Sequence, residues 1–351
     1  MGLNPKLWNG KRVLVTGHTG FKGSWLTLIL KELGAEVIGL ALPPEGPRSL
    51  YVDAGISHEL LSETIQDIRD EFAVRRAIEG MDPDYVFHLA AQAYVRRSLR
   101  DPLESIATNV TGTANVLKPA LTSKTVLGVT IITTDKVYEN LGAKEPFRET
   151  DKLGGLDPYS ASKAASEIIV ASMSATCNAL KIPVTTVRAG NVIGGGDWGE
   201  ERLVPDLVRA LNGNSKLIIR NPNATRPWQF VLDCLYGYLL VAQSHMEERG
   251  DVPNSVNFGP DESLSVTELV RLFETAFGRK IELEESKSTF PESEWLRLDS
   301  SLARAYFGWE SSFLAAQAVS QTANWYSKFE SGVDAKELMR AEILKYKVGK
   351  W

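Results

Sequence analysis

The stretch Gly17-His18-Thr19-Gly20-Phe21-Lys22-Gly23, set between two apolar runs, limits the fold more than any other part of the chain. Upstream, Arg12-Val13-Leu14-Val15-Thr16 has strand composition and stops at Gly17. Downstream, apolar residues fall at Trp25, Leu26, Ile29, Leu30 and Leu33, a helical period over 21–33. Gly34 ends that helix, and 35–41 reads as a second strand. Strand, glycine turn, helix and strand make a βαβ unit with a right-handed crossover. Gly17, Gly20 and Gly23 let backbone amides approach a pyrophosphate, whose charge then rests at the helix N-terminus. Glycines alone make ordinary loops; in this strand-to-helix setting they point to a dinucleotide.

Further buried strands are expected at 85–90, 126–134 and 183–188 with helices between them, which predicts an α/β chain with a Rossmann-type doubly wound parallel sheet. Past residue 190 the texture changes. Gly194-Gly195-Gly196-Asp197-Trp198 and Asn221-Pro222-Asn223 mark long loops. Ser265-Val266-Thr267-Glu268 reads as a capping box opening a helix to Phe277. A short strand over 280–284 and helices from about 300 and 313 follow, and the charged tail after Gly332 suggests a peripheral helix. The expected division is 1–190 as a dinucleotide-binding domain and 191–351 as mainly a smaller mixed α/β substrate domain, with some segments returning to the first.

The chemical residues lie between these parts. Thr134 ends an apolar run, so Thr134-Asp135-Lys136 falls at the carboxyl edge of the sheet, where α/β proteins bind ligands. Tyr159 and Lys163 are four apart on a predicted helix and share a face. The ammonium is expected to lower the phenol's pKa, so that Tyr159 takes a proton from a substrate alcohol, with Thr134 hydrogen-bonding the same hydroxyl. A surface Tyr–Lys pair is the plain alternative; the glycine turn and Thr134 in the same chain argue against it. Asp135-Lys136 suggests more than redox. If C4 of a hexose is oxidised to a ketone, its C5 proton becomes acidic; a base can remove it while an acid protonates the departing C6 hydroxyl. Asp135 is read as that acid and Lys136 as the base, with Glu139 a second candidate. Lysine must first lose its proton, so burial or a neighbouring cation would have to depress its pKa from about 10.4. A 4-epimerase needs no such pair; a silent dinucleotide-binding protein would need neither it nor Tyr159/Lys163.

Charge and composition exclude other classes. With 39 Lys and Arg against 44 Asp and Glu, the net charge of −5 gives no general attraction to nucleic acid. No apolar run reaches the roughly 18–20 residues that span a bilayer, and the first residues lack a signal-peptide core, so a cytoplasmic protein without membrane contact is expected. Cys177 and Cys234 form no disulfide framework, and neither they nor the four histidines have metal-ligand spacing; no metal is expected. The acidic residue that usually holds the adenosine ribose about twenty positions after the glycines is missing, since the second strand runs into Leu42-Pro43-Pro44. Arg48 could face a 2′-phosphate, which leaves NAD and NADP open on the residues alone. Asp67-Ile68 and Leu89-Ala90-Ala91-Gln92 are candidate adenine and pyrophosphate neighbours, the second also readable as core strand.

Taken together, these residues resemble the extended short-chain dehydrogenase/reductase superfamily and, within it, the CDP-glucose 4,6-dehydratases. The matching stretches are 16–25, 134–140, 154–163, 188–198 and Arg226-Pro227-Trp228-Gln229, and the likeness runs to about residue 310. Thr-Asp-Lys, in place of Thr-Asp-Glu, resembles the CDP-glucose branch rather than the dTDP-glucose one. The resemblance implies NAD as cofactor, with Thr19, Phe21 and Asn109 joining the residues named above around it. It implies a nucleotide-sugar substrate, CDP-D-glucose, converted to CDP-4-keto-6-deoxy-D-glucose by C4 oxidation, C5/C6 elimination and hydride return to C6, in pathways feeding O-antigen and lipopolysaccharide biosynthesis. It assigns substrate contacts to Asn191, Arg202, Leu203, Arg220, Arg226 and Trp295, and association as a homodimer or homotetramer. Pro43 departs from the pattern, where many relatives carry an acid.

Overall fold

The computed structural model describes residues 2–350 apart from 47, 143, 214–215, 220, 248–250 and 287–294. Its main strands are β1 Arg12–Thr16, β2 Glu36–Ala41, β3 Ser62–Ile65, β4 Tyr85–His88, β5 Val129–Ile132, β6 Val184–Arg188 and β7 Ser255–Asn257. All are parallel, in the order β7-β6-β5-β4-β1-β2-β3. Helices cover both faces, so the central strands are apolar without interruption. Side chains alternate between two cores: Val13, Val15, Tyr85 and Phe87 face one, Leu14, Val86 and Ile131 the other.

The first core is capped by α1 Phe21–Glu32; the second packs on α2 Glu71–Met81, α3 Gly112–Thr122 and α4 Pro158–Thr176. Beyond α4 come α5 Leu203–Gly213 and α6 Val231–Met246, and α6 is apolar on all sides because it runs through the first core against α1 and β5. The expected capping box is present: Ser265 Oγ accepts from Glu268 N at 3.2 Å and Glu268 Oε2 accepts from Ser265 N at 2.7 Å, opening α7 Val266–Phe277. This helix packs on α8 Ala315–Glu330.

The charged tail forms the expected helix, with one face built into the first core. This is α9 Ala335–Lys350, whose Ala335, Leu338, Met339, Ile343 and Tyr346 are buried, with Tyr346 Oη donating to Asp233 Oδ1 at 2.6 Å. Their spacing makes one apolar stripe, diluted in the sequence by lysines and glutamates on the other face. Two further strands, β3 and β7, did not stand out in the sequence because each is short and sits at a sheet edge. None of the described helices is long and apolar enough to cross a membrane.

The strand order reverses between β1 and β4, which opens a crevice at their carboxyl ends. There Gly17 N donates to Leu40 O at 2.8 Å and Leu89 N to Thr16 O at 3.1 Å, so the glycine turn and the segment after β4 lie side by side.

Candidate active site

The glycine turn fits a dinucleotide. Gly17 has φ of +75°, and a Cβ on it would stand 2.7 Å from Ala90 N; one on Gly23 would stand 2.1 Å from Gly17 O. Gly20 is the N-cap of α1 and supplies no side-chain cap, which leaves the first amides of the helix open to a phosphate. Thr19 Oγ1 donates to Leu42 O at 2.9 Å, and Phe21 packs at the edge of the first core. Gln92 and Asn109 interlock: Gln92 N donates to Asn109 Oδ1 at 2.9 Å and Asn109 Nδ2 to Gln92 O at 3.0 Å. Asn109 Nδ2 also donates to Ser162 Oγ at 2.8 Å, tying this loop to the helix of Tyr159 and Lys163. The π-helical turn Ala107–Thr111 presents it there.

Asp67 and Ile68 sit elsewhere along the crevice: Asp67 is held by Arg69, which donates from its amide at 2.8 Å and from Nη2 at 2.6 Å, and Ile68 is core against Gly112. Ala91 joins Leu89 and Ala90 in the loop after β4, none of them strand. Arg48 lies away from this mouth, its guanidinium 4.1 Å over the Trp198 ring and 3.4 Å from Glu330 Oε1.

Asp157 and Pro158 start α4, the Asp157 carboxylate accepting from Ser160 N at 2.9 Å. This sets Tyr159 and Lys163 facing the end of β5, and both are buried. Thr134 opens the turn Asp135–Val137, and its Oγ1 donates to Asp135 Oδ1 at 2.9 Å. Asp135 N donates to Ala189 O at 3.2 Å, and Lys136 Nζ lies 3.2 Å from Asp135 Oδ1. Behind the turn, Val137 and Tyr138 form a small core with Phe147 and Leu298; the Tyr138 and Phe147 rings stack at 4.8 Å. Arg188 fixes it from below, donating to Tyr138 Oη at 2.7 Å and pairing with buried Glu167 through Nε at 2.9 Å. Thr133 Oγ1 donates to the same glutamate at 2.6 Å. Glu167, on α4, and Arg188 thereby tie the turn to that helix.

The electrostatics differ from the simple Tyr–Lys expectation. Burial raises the Tyr159 phenol, and the groups offsetting this are the Lys136 charge, the Thr134 hydroxyl and Arg202. The Lys163 ammonium is itself disfavoured. Burial and the neighbouring Lys22 pull it down to about 7, and its Nζ donates to Ile132 O at 3.0 Å. For Lys136, burial pulls down, but Asp135 and Tyr159 outweigh it and the pKa is raised. The depression that a lysine base needs is therefore not built into the resting site. Glu139 is engaged by Lys152 at 2.8 Å.

One consequence is measurable. Lys163 has a folded pKa of about 7 against 10.5 unfolded, so the unfolded chain binds more protons between these values and the group destabilises the fold. The penalty is complete below pH 7, fades as pH rises through this window and is gone above 10.5. Lys163→Met is expected to raise Tm of the protein without added nucleotide by roughly 3–6 °C at pH 6 and by much less at pH 10. Equal Tm changes at both pH values would contradict it.

Of the substrate candidates, Arg202 and Arg226 are the two whose charges reach the groups just described. Arg202 Nη1 lies 3.0 Å from Asp197 Oδ2 and its guanidinium 5.2 Å from the Tyr94 ring centroid, and its charge reaches Tyr159. Arg226 acts on Lys136, and its Nη1 donates to Thr225 O at 2.9 Å. Asn191 has φ of +45°, and its buried Nδ2 has no hydrogen-bond partner among the described residues. Leu203 begins α5 at the rim of the first core; Trp295 is 37% exposed, and its carbonyl accepts from Asn140 Nδ2 at 2.7 Å. Arg220 lies outside the described residues. Several residues here carry no site role from the sequence: Lys22, whose Nζ donates to Tyr238 Oη at 3.2 Å, Asp197, Tyr94, and Gln229, a wholly buried side-chain amide with no partner among the described residues. Only a lysine inside a glycine turn was a visible signal.

A parallel sheet with a glycine turn at its switch point and a buried Tyr–Lys pair at the next strand end defines an extended short-chain dehydrogenase/reductase. A model of the NAD dependent epimerase/dehydratase family matches residues 13–259, and the chain belongs to that family. It is 38% identical to the CDP-glucose 4,6-dehydratase of Salmonella typhimurium over 98% of each chain, and 29% identical to the dTDP-glucose 4,6-dehydratase of Haemophilus influenzae over 90% of this chain and 97% of that one. The UDP-glucose 4-epimerase of Thermotoga maritima superposes with a TM-score of 0.79 at 25% identity, covering 91% of this chain and 99% of that one.

Proposed function

We propose that the chain is a CDP-D-glucose 4,6-dehydratase, a hydro-lyase producing CDP-4-keto-6-deoxy-D-glucose and water. The observation that carries this reading is the Asp135–Lys136 ion pair beside Tyr159, at 3.2 Å, in a chain 38% identical to a CDP-glucose 4,6-dehydratase along nearly its whole length.

NAD, when held by the glycine turn, would supply the two-electron acceptor for C4 and the donor for C6. Tyr159 takes the proton of the C4 hydroxyl, with Thr134 and the charge of Lys136 favouring the phenolate. The resting pair carries its exchangeable proton on Lys136. Passing that proton along the 3.2 Å contact gives a free amine and a neutral carboxyl. The amine removes the C5 proton made acidic by the ketone, the C6–O bond breaks, and Asp135 protonates the departing hydroxyl as water. Lys136 returns its proton to C5 when C6 is reduced. The proton held by Tyr159 replaces the one that left with water, so the site ends as it began. Lys163 and Asn109 position the cofactor side of the cleft.

Arg202 and Arg226 suit the diphosphate, since forked guanidinium donors bind its oxygens in pairs. Asn191 offers its unpartnered amide, Leu203 and Trp295 flank the nucleotide, and Arg220 is assigned with them from the resemblance. We further assign 1–190 to the dinucleotide-binding unit and 191–351 mainly to the sugar-nucleotide unit, a cytoplasmic location, and a homodimer or homotetramer; exposed Ile168 on α4, and Leu103 and Ile106 in the segment packed against it, support association. The test is incubation with CDP-, dTDP-, UDP- and GDP-glucose. A 4-keto-6-deoxy product formed fastest from CDP-glucose is expected; a C4 epimer without loss of water would contradict the reading.

A further inference from the structure

We infer that Gly190 decides the reaction's outcome, because its missing side chain makes the space that the Asp135 carboxylate occupies. An added Cβ at Gly190 would stand 1.9 Å from Asp135 Oδ2 and 2.3 Å from Cγ, and the next nearest atom is Oδ1 of the same carboxylate at 2.9 Å. The three nearest atoms all belong to this one group. Gly190 does not have a positive φ, so alanine there meets no backbone strain; space alone is at issue.

The carboxylate cannot yield without losing its function. Oδ1 holds the Thr134 hydroxyl at 2.9 Å and Lys136 Nζ at 3.2 Å, and the Asp135 amide is pinned to Ala189 O at 3.2 Å, next to Gly190 itself. Oδ2 is buried against Gly190 with no hydrogen-bond partner among the described residues, so a carboxylate displaced from there loses the contacts that Oδ1 makes to Thr134 and Lys136. A side chain at 190 swings the carboxylate away from Lys136 and from the C6 hydroxyl. Tyr159 lies on another element and keeps its place. Gly190 is thus a positioning residue acting through Asp135: with it the C4 ketone goes on to lose water, and without it the site stops at C4 oxidation. This rests on the proposed role of Asp135 as the acid.

Gly190→Ala, Asp135→Ala and the double variant test it. In single turnovers of CDP-D-glucose, hydroxylamine traps the 4-ketone, and mass spectrometry separates the hexose that has kept its C6 oxygen from the one that has lost it. Gly190→Ala is expected to form ketone within about threefold of the parent rate and to lose water about 100-fold more slowly. Its Tm falls relative to the parent, whereas adding the same alanine to Asp135→Ala lowers neither Tm nor the residual water loss, since the clashing atoms are gone. Water loss at the parent rate in Gly190→Ala, or an equal Tm cost in both backgrounds, overturns the inference. If Gly190→Ala does not fold, the double variant must; failure of both also overturns it. Undiminished water loss in Asp135→Ala alone instead removes the role proposed for Asp135, and the inference with it, while the Tm cycle still reports the contact.

Discussion

Tyr159→Phe lowers formation of the 4-keto-6-deoxy sugar about 1,000-fold, the loss expected when a proton-transfer group at the reacting oxygen is deleted. The phenol is buried, the Thr134 hydroxyl and the Lys136 charge are the groups that favour its ionised form, and phenylalanine fills the same volume without an oxygen. Packing at the start of α4 does not depend on that oxygen: the Tyr159 amide, not the hydroxyl, donates to Ser98 Oγ at 3.0 Å. Tm is therefore expected to move little, and the trapped C4 ketone is expected to fall in parallel with the final product, because the lost step precedes both. Single-turnover trapping measures this. A variant retaining more than about a tenth of the ketone rate would place the C4 base elsewhere.

Asp135→Asn acts later in the sequence of events. The amide matches the carboxylate in shape, so the fit against Gly190 survives, but it cannot hand a proton to the C6 oxygen. Water loss is expected to slow about 100-fold while C4 oxidation changes only a few-fold. A second readout follows from charge. Asp135 is the largest of the influences that raise the Lys136 pKa, so its neutralisation lets burial pull the ammonium down. The pH limb belonging to Lys136 then shifts to lower pH in the variant. Equal slowing of both steps, with no shift of that limb, would count against Asp135 as the acid.

Much of this was legible because it is local. The strand Arg12–Thr16, the glycines and the apolar spacing of α1 sit within some twenty consecutive residues, and each feature supports the same βαβ unit. Tyr159 and Lys163 are related by one helical turn, and the turn after β5 follows from Thr134 ending a buried strand. The rest depends on residues far apart in the chain. Helix α6 has no period to read, since every side is buried, and β7 is three residues whose pairing with β6 alone makes them a strand.

The charges were the least legible part. Spacing suggests Lys163 as the cation for Tyr159; in the fold Lys22, in the first turn of α1, lowers Lys163, and the charges of Lys136 and Arg202 favour the phenolate. Only the folded arrangement brings Lys22, Lys163, Lys136, Arg202 and Asp135 within range of one another. Gly190 likewise reads as one more loop glycine until Asp135 is seen against it.

In the proposed reaction one site moves the hydrogen of C4 to C6 while water departs between the two events. CDP-D-glucose deuterated at C4 tests this directly, with the product read by mass spectrometry and proton NMR. Deuterium in the C6 methyl group of a 4-keto-6-deoxy sugar is the expected result. Deuterium still at C4 of an epimerised hexose, or lost to solvent, would contradict the account.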